Sequence, residues 1–245
     1  MALSQSVKDS IRSQLDEVVA IRHDLHKNPE LSFQEERTSK VVQRELDRLG
    51  IAYKASMAGG TGVVAFIPST EVSQDTPSVA LRADMDALPI TEQSGLSYSS
   101  TRDGVMHACG HDGHTSILLG AARVLQSLET RPNNVTLVFQ PAEESGGGGQ
   151  RFCAEGMLDG SASGGLGPKV ARIFGLHGWP SLKLGTVRTK PGPLMASTDE
   201  FLITVKGKGG HAARPHLTRD PIVAASAIVM SLQTIVSRST SPVDS

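Results

Sequence analysis

Apolar residues recur at helical spacing in two stretches near the start of the chain. Residues 5–26 carry Val7, Ile11, Leu15, Val18 and Val19, and residues 35–49 carry Val41, Val42, Leu46 and Leu49. Spacing of three and four residues predicts two amphipathic helices, and Gly50 ends the second, as a glycine past the last turn does. The pattern then changes to short runs rich in β-branched and aromatic residues, at 62–67, 78–82, 135–139 and 171–176. Between the second and third runs, residues 115–128 return to the helical period, with Ile117, Leu118, Ala121, Leu125 and Leu128 on one side. Strands alternating with helices predict an α/β domain, a mostly parallel central sheet flanked by helices.

The punctuation changes near residue 180, where Pro180, Gly185, Pro191, Gly192 and Pro193 interrupt the chain. Beyond them, 200–205 alternates like a half-exposed strand and 220–237 reads as an apolar-rich helix. This is the start of a smaller α+β unit, so the expected domains are 1–183 and 184–245. So few elements cannot bury their own faces, and the sequence is expected to be truncated at its C-terminal side. No internal repeat is visible, and Gly146–Gly149 reads as a flexible loop.

Composition narrows the function classes. A net charge of −1 argues against a nucleic-acid binder, which would carry a basic stripe, and leaves no anchor for an acidic membrane surface. A small-molecule substrate is expected instead. The N-terminal residues lack the apolar core of a secretory signal, and no run of 18 apolar residues exists, so no membrane span is expected. Two cysteines, Cys109 and Cys153, build no disulfide framework, and a cytoplasmic location is expected. Cys153 sits at helical spacing and reads as a small packed hydrophobe. Asn134-Val135-Thr136 matches a glycosylation sequon, but on a predicted strand and without a signal it is expected to go unused.

Four polar clusters stand at the ends of predicted strands or just before a helix: ADMDALP (83–89), HACGHDGH (107–114), PAEESGGGG (141–149) and LHGWP (176–180). Open α/β sheets place their sites at one strand edge, so Asp84, Asp86, Cys109, His111, Glu143, Glu144 and His177 are expected together. Carboxylates, imidazoles and one thiolate suit a pair of divalent cations. Cys109 and His111, two residues apart, can share a cluster only from a non-helical turn. Glu143 and Glu144 are adjacent, so on extended chain one can ligate while the other stays free as a general base. His23, His26 and His114 read as structural or surface residues, Asp112 as a helix cap and Asp84 as a turn residue. Nucleophile-elbow, phosphate-loop, dinucleotide-binding, zincin and zinc-deaminase motifs are all missing.

With these residues in hand, the chain resembles the aminoacylase and carboxypeptidase family of di-metal peptidases, in its branch of N-acyl-amino-acid amidohydrolases. The resemblance rests on HKNPELSFQEERT (26–38), LRADMDALPI (81–90), HACGHDGHTSILLGAA (107–122), FQPAEESGGGG (139–149), GLHGWP (175–180) and GKGGHAARPH (207–216). It implies Cys109, His111, Glu144 and His177 as ligands of two divalent ions, Mn²⁺ or Zn²⁺, with Glu143 as general base. It further implies that Asp86 orients a metal ligand and that His211, in a lid domain, stabilises the oxyanion, commonly across a homodimer. The expected reaction is hydrolysis of N-acyl-amino acids, with a dipeptidase or aminopeptidase as the neighbouring alternative. The family has a further histidine ligand beyond the end of this chain, so an inactive, at most binding or dimerising, truncated homologue is the third reading.

Overall fold

A computed structural model describes residues 4–195 and 201–239. The chain divides into two compact units, Met1–Lys183 and Leu184–Ser245. The first opens with helices α1 (Gln5–Lys27) and α2 (Glu36–Arg48), followed by strands β1 (Ala52–Met57), β2 (Gly62–Ile67) and β3 (Ser78–Asp84). Helix α3 (His111–Ser127), strand β4 (Val135–Gln140), the short helix α4 (Gly148–Ala154) and strand β5 (Val170–Gly175) complete it. The five strands form one sheet in the order β1-β2-β4-β3-β5. β3 pairs in parallel with both β4 and β5, while β2 runs antiparallel to its two neighbours. Four strands therefore share one direction, which is the mostly parallel sheet that the alternation of elements implied.

Strand alternation divides the core into two layers, because successive side chains point to opposite faces. Val63, Ala65, Ile67, Leu137 and Phe139 face Ile21 and Leu25 of α1, Val42 and Leu46 of α2, and Leu118 and Leu119 of α3. Val64, Ala80 and Val138 face the other way, onto Phe152 of α4 and Met157. Helix α1 is capped by Ser4, whose hydroxyl accepts from the Val7 N–H at 3.3 Å.

The second unit has less regular structure among its described residues. Lys208 and Arg219 form an isolated antiparallel bridge. Helix α5 (Pro221–Thr234) starts at Asp220, whose carboxylate accepts from the Ile222 N–H at 2.8 Å.

Several local expectations change. Residues 201–205 are not strand, because no partner strand stands beside them among the described residues, and residue 200 lies outside those. Helix α3 begins at His111 rather than 115, so half of HACGHDGH is helical. Strand β1, whose apolar pattern is weak, was not foreseen. Cys153 is exposed and Phe152 takes the buried position of α4. Asn134 is fully buried and holds the Ser69 N–H at 2.8 Å, which leaves no room for a glycan. Finally, α5 and its π-helical continuation, Pro221–Ser239, are long and apolar enough to cross a membrane by length and composition. Ser, Gln and Thr interrupt the apolar run there and Arg238 is its one charge, which is why a count of consecutive apolar residues does not find it.

Candidate metal centre

The polar clusters converge at the C-terminal ends of three adjacent parallel strands. β3 ends in Asp84 and leads to Asp86, β4 leads through Pro141 and Ala142 to Glu143 and Glu144, and β5 leads to His177. The first turn of α3 brings in His111, and Cys109 immediately precedes it. Gly110 between them sits at φ +84°, a left-handed conformation that glycine adopts without strain. That residue turns the chain so that Cys109 and His111 serve one cluster.

Hydrogen bonds fix which nitrogen of each imidazole is left to ligate. His177 donates from Nδ1 to the Gly178 carbonyl at 2.7 Å, leaving the lone pair of Nε2 directed to Cys109 Sγ, 3.4 Å away. Asp86 Oδ1 lies 3.3 Å from His111 Nδ1, so Nε2 of His111 carries the free lone pair. That Nε2 is buried without a hydrogen-bond partner, and so is Oε1 of Glu144, 3.8 Å from it. Glu143 Oε2 is also 3.8 Å from this nitrogen and Asp84 Oδ2 3.7 Å. Cys109, His111 and His177 bring one donor each to within 4.8 Å of one another, and so do His111, Glu143 and Glu144. Two buried orphaned donors aimed at the same space are costly unless a cation stands between them. The residues present therefore fit a divalent ion.

The electrostatics agree. Burial and the negative charge of Glu144 push the Cys109 thiol up to about 12. Burial raises the Glu144 carboxyl above its ordinary value, against the pull of the His111 charge. At His111, burial opposes protonation, but the Asp86 hydrogen bond and the carboxylate charges raise its pKa. Neighbouring carboxylate charge adds to burial at Cys109 and opposes it at His111, and a bound cation would offset that charge.

Asp84 and Asp86 hold the frame. Asp84 accepts from Arg82 Nη1 at 2.6 Å and from His114 Nδ1 at 2.6 Å; these hydrogen bonds and the Arg82 charge outweigh burial and keep its pKa low. His114 accepts the Gly178 N–H on Nε2 at 2.8 Å, so both of its nitrogens are engaged. It joins the end of β3 to the loop that carries His177. Asp86 accepts from the N–H of Glu143 (3.0 Å), the N–H of Glu144 (3.0 Å) and the Ser32 hydroxyl (2.7 Å), besides His111. Glu143 keeps 37 % of its side chain exposed and can meet a solvent water. Asp112 is not the helix cap; that position is Gly110, and Asp112 instead accepts from Arg22 Nε and bonds His26 Nδ1, each at 2.9 Å. His211 lies in the second unit, where its Nδ1 accepts the Ala213 N–H at 3.1 Å.

Ser32 and Glu35 escaped the sequence reading. Both belong to HKNPELSFQEERT, a stretch that carries the family resemblance but in which neither residue has an expected role in the site. Glu35 is fully buried; its Oε1 accepts the Ala142 N–H at 2.9 Å and its Oε2 the Thr61 hydroxyl at 2.7 Å. Burial raises its pKa, and these two hydrogen bonds pull the other way.

Comparison with known proteins agrees with this geometry. The chain is 46 % identical over 231 residues to IAA-amino acid hydrolase ILR1-like 5 of Arabidopsis thaliana, covering 94 % of this chain and 50 % of that protein. It is 44 % identical to an N-acetyl-L-cysteine deacetylase of Bacillus subtilis over 230 residues, 94 % of this chain and 52 % of that one. The crystal structure of a dinuclear metal-binding M20 peptidase from Bacillus subtilis matches with a TM-score of 0.66 at 40 % identity, over 75 % of this chain and 48 % of that one. The chain thus spans about half the length of the curated relatives it matches. The profile of peptidase family M20/M25/M40 matches residues 80–243. On these matches, the chain belongs to peptidase family M20/M25/M40.

Proposed function

We propose that this chain is the metal-binding part of an amidohydrolase that cleaves the amide bond of N-acyl-amino acids. The observation that carries the proposal is the pair of buried, unpartnered donors, His111 Nε2 and Glu144 Oε1, beside Cys109 and His177. Relatives named as an N-acetyl-L-cysteine deacetylase and as an IAA-amino acid hydrolase support the substrate class. Cys109, His111, Glu144 and His177 would hold the ions, and the structural relative described as dinuclear supports two of them. Mixed thiolate, imidazole and carboxylate donors suit Zn²⁺ or Mn²⁺. Ions held by these residues would supply Lewis acidity, polarising the scissile carbonyl and making the attacking water more acidic.

The chain's own groups do the rest. Glu143, adjacent to the donor cluster and open to solvent, takes a proton from the attacking water and returns it to the departing amine nitrogen. Asp86 holds His111 with Nε2 forward and pins the main chain beneath Glu143 and Glu144. His211 is assigned the oxyanion-stabilising N–H, residues 1–183 the catalytic role and 184–245 the lid, with homodimerisation through the lid of a full-length chain. Two free cysteines suit a cytoplasmic setting.

The test is metal titration of the purified chain together with hydrolysis of N-acetyl- and N-benzoyl-amino acids and of dipeptides. Bound divalent metal with turnover of the acyl compounds is expected. Glu143→Gln should lower kcat by about 10³-fold while metal content stays constant. Preference for dipeptides would move the substrate class to peptidase, metal without turnover would leave a binding module, and neither metal nor turnover would overturn the proposal.

A further inference from the structure

Three successive main-chain N–H groups, those of Ala142, Glu143 and Glu144, each end on a carboxylate oxygen. Ala142 donates to Glu35 Oε1 at 2.9 Å, Glu143 to Asp86 Oδ1 at 3.0 Å and Glu144 to Asp86 Oδ2 at 3.0 Å. Two carboxylates thus take the three N–H groups of this turn, Glu35 the first and Asp86 the next two. The turn is not one the chain adopts for free. Ala142 stands at φ +51°, in the left-handed region that residues with a Cβ rarely visit. Such a conformation persists only where its surroundings enforce it. Ala142 is fully buried, its carbonyl accepts from Gly148 N–H at 3.0 Å, and its N–H has the Glu35 carboxylate as acceptor.

We propose that Glu35 is a positioning residue for the site: by accepting the Ala142 N–H it holds the strained turn that aims Glu143 and Glu144. Glu35 touches none of the donor atoms, and it reaches the turn from the segment before α2, 107 residues away in sequence. Its second oxygen is anchored by the hydroxyl of Thr61, the residue just before β2. The carboxylate thus spans a fixed point on the sheet and the movable turn, a span that a side chain one methylene shorter cannot keep. Glutamine is long enough and retains one acceptor oxygen for Ala142, while its amide donates to the Thr61 oxygen. The inference rests on the reading of Glu143 and Glu144 as functional groups.

The experiment compares Glu35→Asp and Glu35→Gln in the full chain, both polar and near in size to the native residue. The first measurement is residue-resolved amide hydrogen exchange, which needs no metal. Glu35→Asp should speed exchange at Ala142, Glu143 and Glu144 together by about tenfold or more, and Glu35→Gln by less than about threefold. The second measurement is divalent-metal affinity and kinetics on an N-acyl-amino acid. Glu35→Asp should weaken metal binding and lower kcat by about 10- to 100-fold with KM little changed, and Glu35→Gln should restore both. Faster exchange confined to Ala142, or equal damage in the two variants, would overturn the inference. A wild-type chain with neither metal nor turnover would sink the functional reading instead, and the exchange data would still decide the role of Glu35.

Discussion

Asp86 shows how much a single buried side chain can organise. It is 1 % exposed and accepts from two main-chain amides, the Ser32 hydroxyl and His111, so each of its oxygens is used. Those hydrogen bonds outweigh burial and hold its pKa below the ordinary value. Removing the carboxylate strands donors in a place water does not reach, where each unsatisfied group costs about 1–3 kcal/mol. Asp86→Ala should therefore lower unfolding free energy by about 3 kcal/mol in urea denaturation, beyond its effect on metal binding. A loss below about 1 kcal/mol would mean that the amides of Glu143 and Glu144 find other acceptors. Glu35 differs, because its raised pKa makes the folded chain bind a proton more tightly than the unfolded one. Its contribution to stability accordingly falls as pH rises above the ordinary carboxylate range, and Glu35→Gln should flatten that part of the stability profile.

At the scale of elements, the run Gly146–Gly149 is half loop and half helix: Gly146 and Gly147 turn the chain and Gly148 and Gly149 open α4. Gly148 opens α4, and a Cβ built on it would stand 1.8 Å from the Pro141 carbonyl oxygen. Backbone cannot yield by that much, so Gly148→Ala should push α4 away from the Pro141–Ala142 turn. The expected result is a lower melting temperature and weaker metal binding together, read by calorimetry and metal titration; a variant with native values in both would show that the turn and α4 move freely. The sequence carried half of this picture. Asp84, Asp86, Glu143, Glu144 and His177 were legible because strand patterns announce where strands end, and parallel strands end on one edge. Ser32 and Glu35 were not, since nothing in the spacing of an irregular segment says which distant amide it will meet. Alternation misled at 201–205 because a strand needs a partner. Helical spacing at Cys153 misled because α4 is too short to have a settled inner face.

In the first unit as a whole, β5 is the exposed edge of the sheet, with Ile173, Phe174 and Leu176 half-open to solvent on and after it. An apolar edge strand recruits other chains through its unpaired backbone groups. Sedimentation velocity at rising concentration should show self-association that Phe174→Lys reduces; a chain that stays monomeric, or association unchanged by the substitution, would show that this edge recruits no second chain. The strand order has another consequence. The groups of the site hang from β3, β4 and β5 and from the start of α3; the three strands are adjacent in space although α3, β4 and α4 separate β3 from β5 in sequence. A slip of one residue between β3 and β4 would carry Glu143 and Glu144 about 3.3 Å along the strand and turn them to the opposite face. Collapse alone, or a sheet in the wrong register, thus builds no centre. Capacity to take up an ion therefore reads out the register of the sheet: a chain that binds one has its central strands correctly paired.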